Sequence, residues 1–224
     1  MHVILSIEQI GNRTRTRSGA DGSSRPARGR SRVTMEDGES FVLSSSKVSR
    51  LGFEEGGEIA EETFGEIMKS LRAACMQRCG TLLGSRDYSE QRLREKLSDA
   101  GYPESLVEEA IGKLQQAGYL DDFRYACSYV RSHLQDRSRL RIMRDLAYRG
   151  ISQTDIENAF AEVGEEEDFE EAQREQVVRL LRKRGFDPDR ASYEEKQKTM
   201  AFLHRKGYST DLIRRLTDGG CMTD

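Results

Sequence analysis

The spacing of apolar residues along the chain changes once. Val3 to Ile10 reads as a strand, and two shorter apolar stretches, Arg32-Val33-Thr34-Met35 and Ser40-Phe41-Val42-Leu43, flank Glu36-Asp37-Gly38-Glu39. Asp-Gly between alternating segments is a strong short-range hairpin signal, so a small antiparallel sheet is expected here. From about Glu58 onward strand signals stop and apolar residues recur at helical spacing. Longer helices are predicted at about 62–84, 122–135 and 167–184, and each precedes a helix, a tight turn and a second helix.

Three glycines bring out the repeat. Leu97-Ser98-Asp99-Ala100-Gly101-Tyr102, Leu146-Ala147-Tyr148-Arg149-Gly150-Ile151 and Leu203-His204-Arg205-Lys206-Gly207-Tyr208 share one pattern, with the glycines 49 and 57 residues apart. Each glycine stands where a helix would stop in the left-handed region, and each pairs an apolar residue before it with one after it, as a Schellman cap requires. Ser152 and Ser209 then fit the N-cap of the following helix, and Pro103 fits its first turn. Gly118-Tyr119-Leu120-Asp121-Asp122 marks a further join, with Gly118 as a cap and the aspartates as N-terminal capping residues. Capping outweighs a metal or catalytic role for Asp121 and Asp122, because adjacent residues do not face each other on a helix.

The predicted fold is therefore mostly α, a tandem array of three three-helix repeats forming an elongated, curved molecule behind a small β-hairpin or antiparallel sheet extension. The expected divisions are a β-rich extension at 1–58 and repeats at 59–118, 119–164 and 165–217, followed by a flexible tail at 218–224. The array needs no second copy to bury its stripes, so a monomer is expected.

Composition agrees with thin helical layers. Hydrophobic residues make up 36% and charged residues 33% of the 224 positions, with no Trp and three Pro. A doubly wound sheet would need near-continuous Val/Ile runs, which are absent. Met1 to Glu8 is apolar only briefly and lacks a basic leader, so neither a signal peptide nor a membrane span is expected, and the cytoplasm is the expected compartment. Cys75, Cys79, Cys127 and Cys221 form no CxxC pair and three His are scattered, which predicts reduced thiols, no metal site and no cofactor.

A formal net charge of −3 conceals segregation. Arginines crowd residues 11–30, a Gly/Ser/Arg stretch expected as a mobile basic loop. It reads either as a solvated connection or as an arm that touches phosphates or an acidic partner. Arg137, Arg141 and Arg144 fall at helical spacing, with Arg139 and Arg149 nearby, opposite an apolar side made of Leu140, Met143 and Ala147. Arg179, Arg182, Lys183 and Arg184 form a second cluster. These are candidate partner-binding residues, against the alternative of solvated charged faces.

No GxxxxGK, HExxH, GxSxG or strand-linked GxGxxG occurs, which argues against an enzyme. Helix-turn-helix readout of DNA is disfavoured as well, because Glu104, Glu108, Glu109, Asp155 and Glu157 occupy the turns that would meet the groove. Non-specific contact with DNA through the basic clusters stays open.

Several ordered blocks resemble the RecX family. They are Tyr88-Ser89-Glu90-Gln91-Arg92-Leu93-Arg94-Glu95-Lys96-Leu97, Gly118 to Ala126 with Tyr129-Val130-Arg131, Arg141 to Leu146 with Arg149-Gly150-Ile151, and Glu195-Lys196 with Phe202 to Tyr208. The chain departs from the pattern at Gln135-Asp136-Arg137-Ser138-Arg139, where the family commonly has a basic-glycine turn. The resemblance implies a modulator without catalysis that lies in the groove of the RecA–DNA filament and restrains its extension, strand exchange and co-protease activity. RecA and its filament are then the expected partners, with Arg131 joining the candidate contact residues.

Overall fold

The computed structural model describes residues 2–10, 29–165 and 168–218. The chain divides into two compact units, residues 1–120 and 121–224.

In the first unit, β1 (His2–Ile10), β2 (Arg30–Met35), β3 (Ser40–Ser44) and β4 (Glu58–Ile59) form an antiparallel sheet in the order β3-β2-β1-β4. The Asp-Gly turn joins β2 to β3. Gly38 adopts φ 87 and Asp37 Oδ1 accepts from the Glu39 amide at 2.9 Å. Ile7 faces Val33 and Val33 faces Phe41, so alternation delivers Val33, Met35, Phe41 and Leu43 to one buried face. Two elements depart from the sequence expectation. Strand pairing continues through β4, and the β-rich extension holds a short helix, α1 (Ser45–Leu51), capped by the Ser44 hydroxyl.

The 23-residue helix α2 (Glu61–Leu83) links the sheet to the first three-helix group. Its buried residues Ile67, Leu71, Cys75 and Cys79 recur every fourth position, a single stripe that serves two cores. Ile67 and Leu71 pack with the sheet residues, whereas Cys75, Cys79 and Leu82 pack with Leu93 and Leu97 of α3 (Glu90–Ala100) and with Val107, Ile111 and Leu114 of α4 (Glu104–Gln116). Cys75, Cys79 and, in the second unit, Cys127 are buried free thiols. Cys221 and most of the basic 11–30 loop lie outside the described residues.

Gly101 ends α3 at φ 88, and the Tyr102 amide donates to Leu97 O. The same glycine receives the edge of the sheet, since Val42 N donates to Gly101 O at 2.9 Å. A Cβ here would lie 2.1 Å from Val42 Cγ2. Pro103 occupies the N-cap of α4.

The second unit contains α5 (Asp122–His133), α6 (Arg139–Ala147) and α7 (Gln153–Gly164), then α8 (Phe169–Lys183), α9 (Tyr193–Arg205) and α10 (Thr210–Thr217). Asp121 caps α5 by accepting from the Arg124 amide, and Asp122 is the acidic residue of its first turn. Gly118, Gly150 and Gly207 stand at φ 71, 83 and 91. Gly185 does the same job after α8, at φ 65 with Phe186 N donating to Leu181 O, and Gly52 does so after α1, two such turns not singled out from the sequence. One core gathers Val130, Ile142, Leu146, Ile156 and Phe160, and another gathers Val177, Leu181, Leu203, Tyr208 and Ile213.

Candidate partner-binding cleft

The turn between α5 and α6 carries the site. His133 O accepts from both Asp136 N and Arg137 N, which closes the chain tightly after α5. Ser138 then caps α6: its hydroxyl accepts from the Arg141 amide and donates to Lys206 O at 2.6 Å. From α8, Gln176 Nε2 donates to Leu134 O while its Oε1 accepts from the Tyr208 hydroxyl at 2.8 Å. Arg179 donates to Gln135 O at 2.5 Å. Gln176 is 3% exposed, so both ends of its amide need partners, and both have them. Burial pushes the Tyr208 hydroxyl above its ordinary value, which keeps it a proton donor. The segment that departs from the family's basic-glycine pattern is thus tied to the third helical group by two side-chain hydrogen bonds, at Ser138 and at Gln135 O, and the Gln176 amide holds the adjoining Leu134 O.

Around this turn opens a cleft of about 570 Å³. Arg137, Arg141 and Arg144 line it from one side, and Arg179, Lys183, Arg205 and Lys206 from the other, with Asp136 the single carboxylate in the lining. The two basic clusters legible in the sequence therefore meet in one concavity, where walls of low dielectric focus the field of like charges.

Beneath the rim lies Asp145 of α6, its side chain 16% exposed. Arg137 Nη1 donates to Asp145 Oδ2 and to the Tyr129 hydroxyl, each at 2.6 Å, and Arg141 Nε lies 3.2 Å from Asp145 Oδ1. Burial raises the Tyr129 hydroxyl above its ordinary range, and Arg149 and then Arg137 oppose that only in part. The side chains of Arg144, Lys183 and Arg205 have no hydrogen bond or ion pair among the described residues.

The remaining candidate residues lie elsewhere. Arg139 stacks over Phe160 at 4.6 Å, Arg149 over Tyr129 at 4.5 Å and Arg184 over Phe202 at 4.4 Å, so their charges also serve packing. Arg131 and Arg182 are exposed on α5 and α8 and do not line the cleft. Two details of the sequence reading need correction. Arg137 precedes the N-cap of α6 and so shares no helical face with Arg141 and Arg144; its place comes from Asp145 and Tyr129. The buried side of α6 is Ile142 and Leu146, whereas Leu140 is 40% exposed and Ala147 is exposed.

Arg205 and Lys206 were missed. Cations in the last turn of a helix complement its dipole, and that ordinary role hid them. Asp145 was missed too, although its i, i+4 spacing from Arg141 was available as a signal. No group of three His, Cys, Asp or Glu among the described residues could hold a metal ion, and no helix among them is long and apolar enough to cross a membrane.

Comparison with known proteins places this architecture. Residues 75–114, 121–159 and 166–217 match the first, second and third three-helix domains of RecX. "Regulatory protein RecX" of Vibrio vulnificus (strain CMCP6) is 33% identical over 143 residues, which cover 63% of this chain and 89% of that protein. The protein of the same name from Trichlorobacter lovleyi is 35% identical over 137 residues, 60% of this chain and 88% of its own length. A solved structure described as a crystal structure of regulatory protein RecX shares the fold with a TM-score of 0.59 at 22% identity, covering 97% of this chain and 98% of its own. RecX from Lactobacillus salivarius does so with a TM-score of 0.58 at 23% identity over 68% of this chain and 97% of its own. With all three helical domains matched in order and close to nine tenths of a one-third-identical relative covered, the chain belongs to the RecX family.

Proposed function

We propose that this chain regulates the RecA recombinase by binding the RecA–DNA filament, restraining its extension and thereby lowering strand exchange and co-protease activity, without chemistry of its own. The observation that carries this reading is the convergence of seven cationic side chains from two helical groups on one cleft in a RecX-family fold. A cleft of one sign recognises an anionic surface and raises the rate of encounter with it. A filament of protein on DNA offers such a surface. A second reading, non-specific binding to DNA itself, rests on the same cations, because neutralising phosphates is enough to hold duplex or single strands. The cytoplasm is the compartment in which RecA would be met, and a monomer suffices for the contact.

The two readings separate in one experiment. Purified protein is added at substoichiometric amounts to RecA on single-stranded DNA, and ATP hydrolysis and strand exchange are followed. Regulation of RecA predicts suppression of both, with no ATPase, nuclease or phosphatase turnover by the protein alone. Suppression seen only when the protein is in excess over DNA sites, and relieved by competitor DNA, would favour the second reading. Intrinsic turnover abolished by a point mutation in this chain would contradict the proposal.

A further inference from the structure

We infer that Asp145 is a positioning residue of the cleft: a carboxylate set under the rim that aims Arg137 and Arg141 at an anionic partner, so that binding depends on it even though its charge opposes that partner. The inference rests on the reading of the cleft as the contact surface.

The geometry separates the acid from the cations it holds. Asp145 is tucked between α5 and α6, with its side chain 16% exposed, while the side chains of Arg137 and Arg141 are 37% and 64% exposed. Arg137 spends one nitrogen, Nη1, on both Asp145 and the Tyr129 hydroxyl. Arg141 approaches with Nε. A guanidinium carries five N–H donors in a fixed plane, so most donors of each fork stay available on the side away from Asp145. Arg137 needs this support most, since it lies in the turn before α6 and has no helix to fix its direction. A long side chain loses rotamer freedom when it grips a partner, and a group already held in place loses less.

Two physical effects of Asp145 therefore act in opposite directions. Its negative charge lowers the potential of the cleft, which weakens attraction for an anion. Its hydrogen bonds fix two arginines, which strengthens the grip. Replacing it by asparagine removes the charge and loosens the arginines at once. A field effect alone predicts tighter binding to an anionic partner, whereas positioning predicts weaker binding.

The test uses the full chain and the assembled RecA–DNA filament, with binding measured at low and at moderate salt for Asp145→Asn, Asp145→Glu, Tyr129→Phe and the double variant Arg144→Glu/Lys183→Glu. Positioning predicts that Asp145→Asn weakens binding about three- to tenfold at both salt concentrations, with helix content retained. Asp145→Glu should recover part of the loss. Tyr129→Phe leaves the charge unchanged and removes one anchor of Arg137 together with the 3.4 Å hydrogen bond from the Tyr129 hydroxyl to Asp145 Oδ2, while Asp145 still holds both arginines, so it should weaken binding in the same direction by less, which keeps the proposal testable if the asparagine variant folds poorly. Equal or tighter binding by a folded Asp145→Asn protein, or an unaltered Tyr129→Phe protein where Asp145→Asn cannot be prepared, would overturn the proposal. The double variant reports on the cleft itself, through cations that do not touch Asp145. Parental binding by that variant would remove the cleft as a contact surface and this inference with it. Loss of binding there beside an unaffected Asp145→Asn would refute the positioning role alone.

Discussion

Gly101 shows how one residue type can be required twice. At φ 88 any L side chain is strained by roughly 1 kcal/mol or more, and that applies equally to Gly118 at φ 71. Of these two, Gly101 is the one where an added Cβ would meet a neighbour, lying 2.1 Å from Val42 Cγ2, whereas nothing lies within 4 Å at Gly118. Relieving such an overlap in a packed region costs roughly 1–3 kcal/mol more, and it would pull on the hydrogen bond from Val42 N to Gly101 O. Urea denaturation should therefore show Gly101→Ala losing at least about 1 kcal/mol more than Gly118→Ala, the difference being set by the overlap alone. Equal losses would mean that the sheet edge yields without cost. The turn role of Gly101 is readable from its place between Leu97 and Tyr102, but its contact with Val42 depends on a strand nearly sixty residues earlier, which no local pattern reveals.

At the scale of elements, α6 depends on Ser138 for its start and for its tie to Lys206 O. Ser138→Ala should lower stability by about 1–2 kcal/mol through the lost cap, measurable as a shifted urea midpoint, and the loss should exceed that for Ser209→Ala, whose hydroxyl accepts from Leu212 N as a cap and makes no second bond among the described residues. A smaller loss at Ser138 than at Ser209 would contradict the tie between the second and third helical groups. The long helices are legible because each carries an apolar stripe and ends at Gly or begins at Ser or Asp. Short elements are not. In α1 only Val48 is buried, and β4 is two residues whose identity comes from pairing with His2 and Val3 rather than from its own sequence. The helical wheel also misplaces Arg137, because a cap residue interrupts the helix before it is reached. The cleft itself is invisible to periodicity. Its two cationic walls are legible separately, as clusters near 140 and 180, but their meeting is made by buried polar bonds through Gln176 and Tyr208.

For the molecule as a whole, a formal net charge of −3 gives no hint of a partner, since the charges that matter are sorted by position. Within the second unit, seven cations face a single cleft while only Asp136 answers them in its lining. Attraction through such a surface is screened at separations beyond about 8 Å near physiological ionic strength, so its contribution should fall as salt rises. The contact is best probed at cations whose side chains bond to nothing else among the described residues, so that the fold uses them only through the helix dipole. Charge reversal at Arg137 or Arg141 would set a second carboxylate against Asp145 and confuse binding with stability, whereas the side chains of Arg144, Lys183 and Arg205 carry no hydrogen bond or ion pair among the described residues. The most direct measurement is the affinity of Arg144→Glu/Lys183→Glu for the RecA–DNA filament, beside the parent, across a salt series. The account predicts a folded protein that loses at most about 1 kcal/mol of stability for each reversed charge at a helix end and a loss of affinity that is largest at low salt and shrinks as salt rises, and parental affinity at every salt concentration would contradict it.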